Sequence, residues 1–170
     1  MLFRSASAAP SPLAAGLQAA IAAEWSHLEL GQTRDGTAWL RVPIGELLRL
    51  CGWLKDRGYN RFLDCSVVDD PTHQERLDLQ YLLYSMTDGK WLRLKARTAA
   101  VAPSLTPLFA AADWYEREAF DLFGVHFSGH PGLRRILLPD DFEGPPPLRR
   151  DVPMGSEPID FTVTRELYGT

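Results

Sequence analysis

At 170 residues, 45% hydrophobic and 24% charged, the chain has the size and composition of one globular domain, long enough to bury about 70% of the surface its unfolded form exposes. A net charge of −4 excludes the basic footprint of a nucleic-acid binder. No apolar run approaches the roughly 18 residues of a membrane-spanning helix, and the two cysteines, Cys51 and Cys65, fit neither a disulfide framework nor a metal knuckle and read as buried apolar groups.

The N-terminus, M-L-F-R-S-A-S-A-A-P-S-P, is rich in alanine and serine like a targeting peptide but has no continuous hydrophobic core. A soluble intracellular domain, without a secretory signal, is the expectation. Ser11 and Pro12 read as an N-cap and first helical position, opening a helix with Leu13, Leu17 and Ile21 along one side. His27 to Leu30 and Thr37 to Val42 follow as strands around an Asp35-Gly36 turn. Leu47, Leu48, Cys51 and Leu54 repeat at helical spacing, with Gly58 as the stop. Phe62 to Val68 suggests a short buried strand, and Leu77 to Tyr84 and Trp91 to Arg97 form a hairpin around Asp88-Gly89. Leu92, Leu94 and Ala96 face one way, Arg93, Lys95 and Arg97 the other. The order of elements predicts an α+β fold, a mostly antiparallel sheet with helices packed on one face, over residues 1–124.

The segment from Asp113 to Phe123 is the least ordinary of these. Asp113 can cap a helix, with Glu116 completing a capping box and Gly124 ending it. On a helical wheel Leu122, Tyr115, Ala119 and Phe123 form an apolar arc, while Asp113, Arg117 and Asp121 share a polar one. Glu116 and Glu118 fall at the flanks of the apolar arc, where an unpaired charge costs several kcal/mol. Ion pairs to Arg134, Arg135, Arg149 and Arg150 are expected to satisfy them. Beyond Gly124 lie seven of the 13 prolines, too many for ladders or helices. Residues 125–170 therefore read as an extended, proline-rich C-terminal arm, with apolar anchors at Ile136, Leu137, Leu138, Phe142, Leu148, Ile159, Phe161 and Val163, suited to lying along a surface of its own chain or of a partner.

Several chemistries have no signature. No glycine-rich dinucleotide or phosphate loop occurs, no cysteine set matches an iron–sulfur cluster, and Ser128 sits in F-S-G-H rather than in a nucleophile elbow. His126 and His130 are four apart, but Gly129 and Pro131 interrupt any helix that would align them on a metal. An imidazole bonded to a carboxylate or a backbone carbonyl is the expectation there. Glu116 and Glu118 could serve as an acid/base pair, but no cleft is legible, and ion pairing is the stronger reading. The cluster Arg149, Arg150, Asp151 can be a solvated charge group, although three preceding prolines fix where its side chains point.

Glu116, Arg117, Glu118, Asp121, Leu122, Phe123, His130, Arg134, Ile136 and Leu137 stand in the register of a known signature, followed by R-R-I-L-L-P-D-D-F-E-G and P-L-R-R-D-V-P. In these residues the chain resembles the 30-kilodalton subunit family of NADH:quinone oxidoreductase, respiratory complex I. The earlier F-L-D-C-S-V-V-D-D-P is similar to a strand of that family. The resemblance implies a non-catalytic subunit of the peripheral arm, packed beside the large quinone-site subunit and the subunit that holds the terminal iron–sulfur cluster. It implies no cofactor or metal in this chain, with flavin and clusters in its partners. The signature and partner-interface residues would be Glu116, Arg117, Glu118, Asp121, His130, Arg134, Arg135, Arg149, Arg150 and Asp151. The chain would be held through the complex at the cytoplasmic face of a bacterial plasma membrane. Competing readings are the equivalent subunit of a membrane-bound hydrogenase or formate hydrogenlyase, the photosynthetic ferredoxin-fed relative, and a free-standing acid/base enzyme.

Overall fold

Alternation along two long strands sets the architecture. Leu77, Leu79, Tyr81 and Leu83 on one and Leu92, Leu94 and Ala96 on the other are fully or almost fully buried, while the residues between them, apart from the buried Asp78, remain partly exposed. The computed structural model describes residue 13 and residues 15–153. The cap at Ser11 and Pro12 and the anchors Ile159, Phe161 and Val163 lie outside the described residues.

The elements run α1 (Ala15–Glu24), β1 (Glu29–Gln32), β2 (Ala38–Arg41), a 3-10 turn (Ile44–Glu46), α2 (Leu47–Asp56), β3 (Arg61–Asp69), β4 (Leu77–Ser85), β5 (Lys90–Thr98), β6 (Val101–Pro103), α3 (Ala112–Phe123) and β7 (His126–Ser128). Five strands form one sheet in the order β1-β2-β5-β4-β3, antiparallel throughout except for β2 against β5. The exception follows from connectivity. The chain leaves β2 through α2 to the far edge, and the β3-β4-β5 meander returns to lie beside β2 in the same direction. The fold is α+β with a mostly antiparallel sheet, as the alternation predicts. Leu17 and Ile21 of α1, Leu47, Leu50, Cys51 and Leu54 of α2, and Ala112 and Ala119 of α3 join the inward sheet residues in one core.

Three local features depart from the reading of the sequence. Leu48 lies on the outside of α2, 38% exposed. A register shift between Phe62 and Asp64 turns Phe62 and Cys65, three apart, toward the same core, which regular period-two alternation would forbid. The third is a second, two-stranded sheet in which β6 pairs parallel with β7. Val125 and Phe127 are buried, so chain beyond Gly124 still belongs to the packed body before the proline-rich stretch begins. Strands of three residues carry too little periodicity to be read from sequence.

Phe62 positions the elements that matter later. Its ring lies 5.7 Å from Tyr115, 5.8 Å from Phe109 and 6.2 Å from Tyr81, which joins the sheet to α3 by aromatic contact. Truncating the centre of this core, Leu94→Ala, is expected to cost about 2–5 kcal/mol. Urea unfolding should show a lowered midpoint with an unchanged slope.

Candidate functional site

The charged residues of α3 are divided between two sides of the helix, and each side has its own task. The helix begins at Ala112, its N-cap is Ala111, and no side chain caps it. The expected capping box does not form, because Glu116 is turned inward. Gly124 ends the helix with φ 76°, donating its N–H to the Phe120 carbonyl at 2.9 Å. A Cβ at this glycine would come within 2.9 Å of the Pro146 ring, so both the backbone angle and the close approach of the returning chain require glycine.

Glu116 is wholly buried. Its Oε2 accepts the Ser104 hydroxyl at 2.6 Å and its Oε1 accepts the Leu105 N–H at 2.6 Å. Ser104 is placed by the small sheet, since its own N–H donates to the Ser128 carbonyl at 2.9 Å. Burial pushes the Glu116 carboxyl above its ordinary value, against the opposing pull of the Ser104 and Leu105 hydrogen bonds and of His130. Glu118 is exposed. The two glutamates therefore share no cleft, and neither contacts an arginine of the arm. The expected ion pairs fail because Glu116 points into the core while the arm crosses the other side of the helix.

That other side carries Arg117 and Asp121. Arg117 donates from Nε to the Arg134 carbonyl at 3.2 Å and from Nη2 to the Arg135 carbonyl at 3.1 Å, with its guanidinium 5.3 Å from the centre of the Trp114 ring. Asp121 Oδ2 accepts three successive N–H groups, from Ile136 at 3.1 Å and from Leu137 and Leu138 at 2.8 Å. Burial pulls the Asp121 carboxyl upward, but the N–H groups of Leu138, Ile136 and Leu137, assisted by Arg135, outweigh it and hold the carboxyl below its ordinary value. The arm is thus held through its main chain. The guanidinium of Arg135 turns to the Pro139 carbonyl at 3.1 Å and over Phe142, and Arg134 is exposed.

Two further latches complete the closure. The His130 side chain is fully buried, its Nε2 3.0 Å from Asp113 Oδ1, while Nδ1 accepts the Gly132 N–H at 3.0 Å. Nδ1 is therefore the unprotonated nitrogen, and Nε2–H donates to the carboxylate. At the far end Arg76 grips Asp69 with Nε and Nη2, both at 2.6 Å, and reaches Asp151 with Nη1 at 2.8 Å. Asp69 also accepts the Arg150 N–H at 2.8 Å. The hydrogen bond to Arg76 lowers the carboxyls of Asp69 and Asp151 below their ordinary values. Arg149 pairs with Asp151 at 3.3 Å. Ser104, Asp69, Arg76 and Pro146 are partners that sequence reasoning missed. They lie 12, 81, 75 and 22 positions from the residues they meet, and no motif announces them. Among the described residues no group of three or more His, Cys, Asp or Glu side chains could hold a metal ion.

Fold and site together define an α+β domain closed by a strap that returns across its last long helix. The profile of the family described as "Respiratory-chain NADH dehydrogenase, 30 Kd subunit" matches residues 40–158, and the chain belongs to that family. The chain is 40% identical over 149 residues to the C subunit of NADH-quinone oxidoreductase from Caulobacter sp. (strain K31), a match that covers 85% of this chain and 69% of that protein. It is 40% identical over 133 residues to the protein of that name from Salinispora arenicola, covering 74% and 54%, and 41% identical over 124 residues to that of Brucella ovis, covering 70% and 61%. The matches thus span 54 to 69% of these relatives' lengths. Among solved structures, the trypsin-resistant fragment of Nqo5 superposes with a TM-score of 0.62 at 26% identity, covering 69% of this chain and 98% of the fragment. A chain of an archaeal membrane-bound sulfane sulfur reductase superposes with a TM-score of 0.73 at 24% identity, covering 91% of both chains, and shares the fold.

Replacing Asp121 by Ala leaves three strap N–H groups without their acceptor and should cost about 1–3 kcal/mol. Limited trypsin digestion is expected to cut after Arg134 and Arg135 in that variant before it cuts the core. Acid should act in the same direction on the wild type. Asp69 and Asp121 are ordinary in the unfolded chain, near 3.8, and lower in the folded one. Their stabilisation is complete above that value and drains as pH falls through the folded-state values. Glu116 has the opposite sign, because its raised folded-state value makes its ionisation cost stability as pH rises above 4.5. Urea midpoints at a series of pH values should therefore show the stability difference shifting in favour of Glu116→Gln as pH rises through that window.

Proposed function

We propose that the chain is a structural, non-catalytic subunit of the peripheral arm of a proton-translocating NADH:quinone oxidoreductase. In this reading it braces the quinone-site subunit and the subunit that holds the terminal iron–sulfur cluster, keeping cluster and quinone within electron-transfer reach. Flavin and clusters reside in partner chains. Membership of the family supports the assembly. One observation carries the bracing role. The polar groups of α3 and the strap are satisfied largely within this chain, which leaves Trp114 at 62%, Leu137 at 60% and Leu148 at 52% exposure along the helix and strap. Large apolar side chains presented by a stiff, latched segment suit a permanent protein partner.

No helix of the described residues is long and apolar enough to cross a membrane. Attachment in this reading comes through the complex, at the cytoplasmic face of the bacterial membrane. Trp114→Ala combined with Leu137→Ala should lower co-purification of the neighbouring subunits several-fold while changing the stability of the chain itself by less than about 0.5 kcal/mol. Unchanged recovery of those subunits would remove the bracing role. Deleting the residues after Pro153 should likewise weaken partner binding more than the fold, measured by pull-down and thermal melting of the same variant.

A further inference from the structure

We infer that the open face of the five-stranded sheet, opposite α3 and the strap, is a second docking surface that receives an acidic segment of a partner polypeptide. The inference goes beyond the bracing role, which concerns the other side of the molecule.

The stripe is built by alternation. On β5, Trp91, Arg93, Lys95 and Arg97 occupy every second position between the buried Leu92, Leu94, Ala96 and Thr98. On β2, Trp39 stands beside Arg93 and Arg41 beside Lys95. Residues two apart on a strand are separated by about 6.8 Å. Three cations therefore stand in a row at that interval, with a fourth alongside.

These cations have donors to spare. Arg41 reaches Asp78 and Glu29 only at 3.6 Å each, outside hydrogen-bond range. Arg97 touches Asp70 only at 3.4 Å, through Nη2, longer than a good hydrogen bond. The Lys95 ammonium lies 4.5 Å above the Trp39 ring, and Arg93 acts on Asp35 through charge alone, without a hydrogen bond or close ion pair among the described residues. By contrast, the guanidinium of Arg117 finds two carbonyls and that of Arg76 two carboxylates. A fork with unspent donors in a partly buried setting is suited to carboxylates, which it can bind bidentately.

The surroundings select a polypeptide among anionic partners. Arg41 and Arg97 open onto a cleft of about 480 Å³ with His27 and Ile44 in its wall, and Glu29 and Glu75 stand at the same cleft. Those two acids repel a uniform polyanion such as nucleic acid or an anionic bilayer, and the chain as a whole is negative. A protein segment that alternates acids with other residues avoids that repulsion. It can also use Trp91 and Val68, 49% and 43% exposed at the margins of the face, as apolar anchors.

The test replaces Trp91, an exposed aromatic, with the photoreactive p-benzoylphenylalanine, and irradiates the intact assembly purified through a tag on this chain. The cross-linked peptide is identified by mass spectrometry. The expected adduct lies in a partner segment rich in Asp and Glu. Its yield should fall about tenfold on Arg93→Glu with Lys95→Glu, and also on raising salt from about 50 to about 500 mM, as for a steered charge contact. The melting temperature confirms that the charge-reversed chain is folded, and the salt series reads the same contact without any charge reversal. An assembly giving no intermolecular adduct overturns the inference. So does an adduct to lipid, to nucleic acid or to an acid-poor segment, or a yield indifferent to both charge and salt. The Trp114 and Leu137 variants report on the strap face alone, so failure there and failure here are read separately.

Discussion

Everything on the helical side of this protein depends on two side chains, one turn apart, binding the main chain of another segment. Arg117 supplies donors to the carbonyls of residues 134 and 135, and Asp121 supplies an acceptor to the N–H groups of residues 136 to 138. A segment punctuated by proline forms no ladder of its own, and its polar backbone must still be satisfied where it packs against protein. The helix supplies that satisfaction from the i and i+4 positions of one face. Once residues 134–138 are held, the chain comes back to place Pro146 against Gly124, and the Leu148 N–H bonds the Leu122 carbonyl at 3.0 Å. The strap then reaches the Asp69–Arg76–Asp151 network at the turn between β3 and β4.

The opposite side of the same helix holds an acid where an apolar residue would be expected. Burying a carboxylate is tolerable only with strong compensation, and Glu116 has it in two bonds of 2.6 Å. Those bonds tie α3 to the loop after β6, which the pairing of β6 with β7 holds in place. One helix thereby connects the small sheet, the strap and, through the Phe62 aromatic cluster, the main sheet.

The large features were legible because they rest on periodicity. Alternation in Leu77 to Tyr84 and Trp91 to Arg97 predicts both the hairpin and its buried face, and Gly36, Gly58, Gly89 and Gly124 all adopt the positive φ that their turn and stop positions imply. The importance of the α3 charges was legible too, since five of them stand in an otherwise largely apolar helix. Their partners were not. Spacing on a wheel places Glu116 at the margin of the apolar arc, but it does not say that a serine and a free N–H wait there. By residue type Arg134 and Arg135 are cations suited to Glu116 and Glu118, whereas their carbonyls serve Arg117. Sequence displays side chains and is silent about main-chain groups, so an interaction that uses the main chain of one partner leaves no mark in the residue types. The short β6–β7 pair escaped for a related reason, because three residues cannot establish a period.

The mode of latching also separates two kinds of residue within the charged segment from Glu116 to Leu137. Glu116, Arg117, Asp121 and His130 face their own chain, whereas Glu118 and Arg134 are exposed beside Trp114 and Leu137. Because the strap is gripped by its backbone, Leu137 is left 60% exposed, and the surface it helps to compose exists only while the grip holds. A change at Asp121 would therefore damage that surface without removing a residue from it, whereas a change at Leu137 would remove a contact and leave the grip intact. Positioning and contact are carried by different side chains of one short segment. Charged groups at fixed spacing suit the holding of a proline-rich backbone in register, and in this segment Arg117 and Asp121 do so.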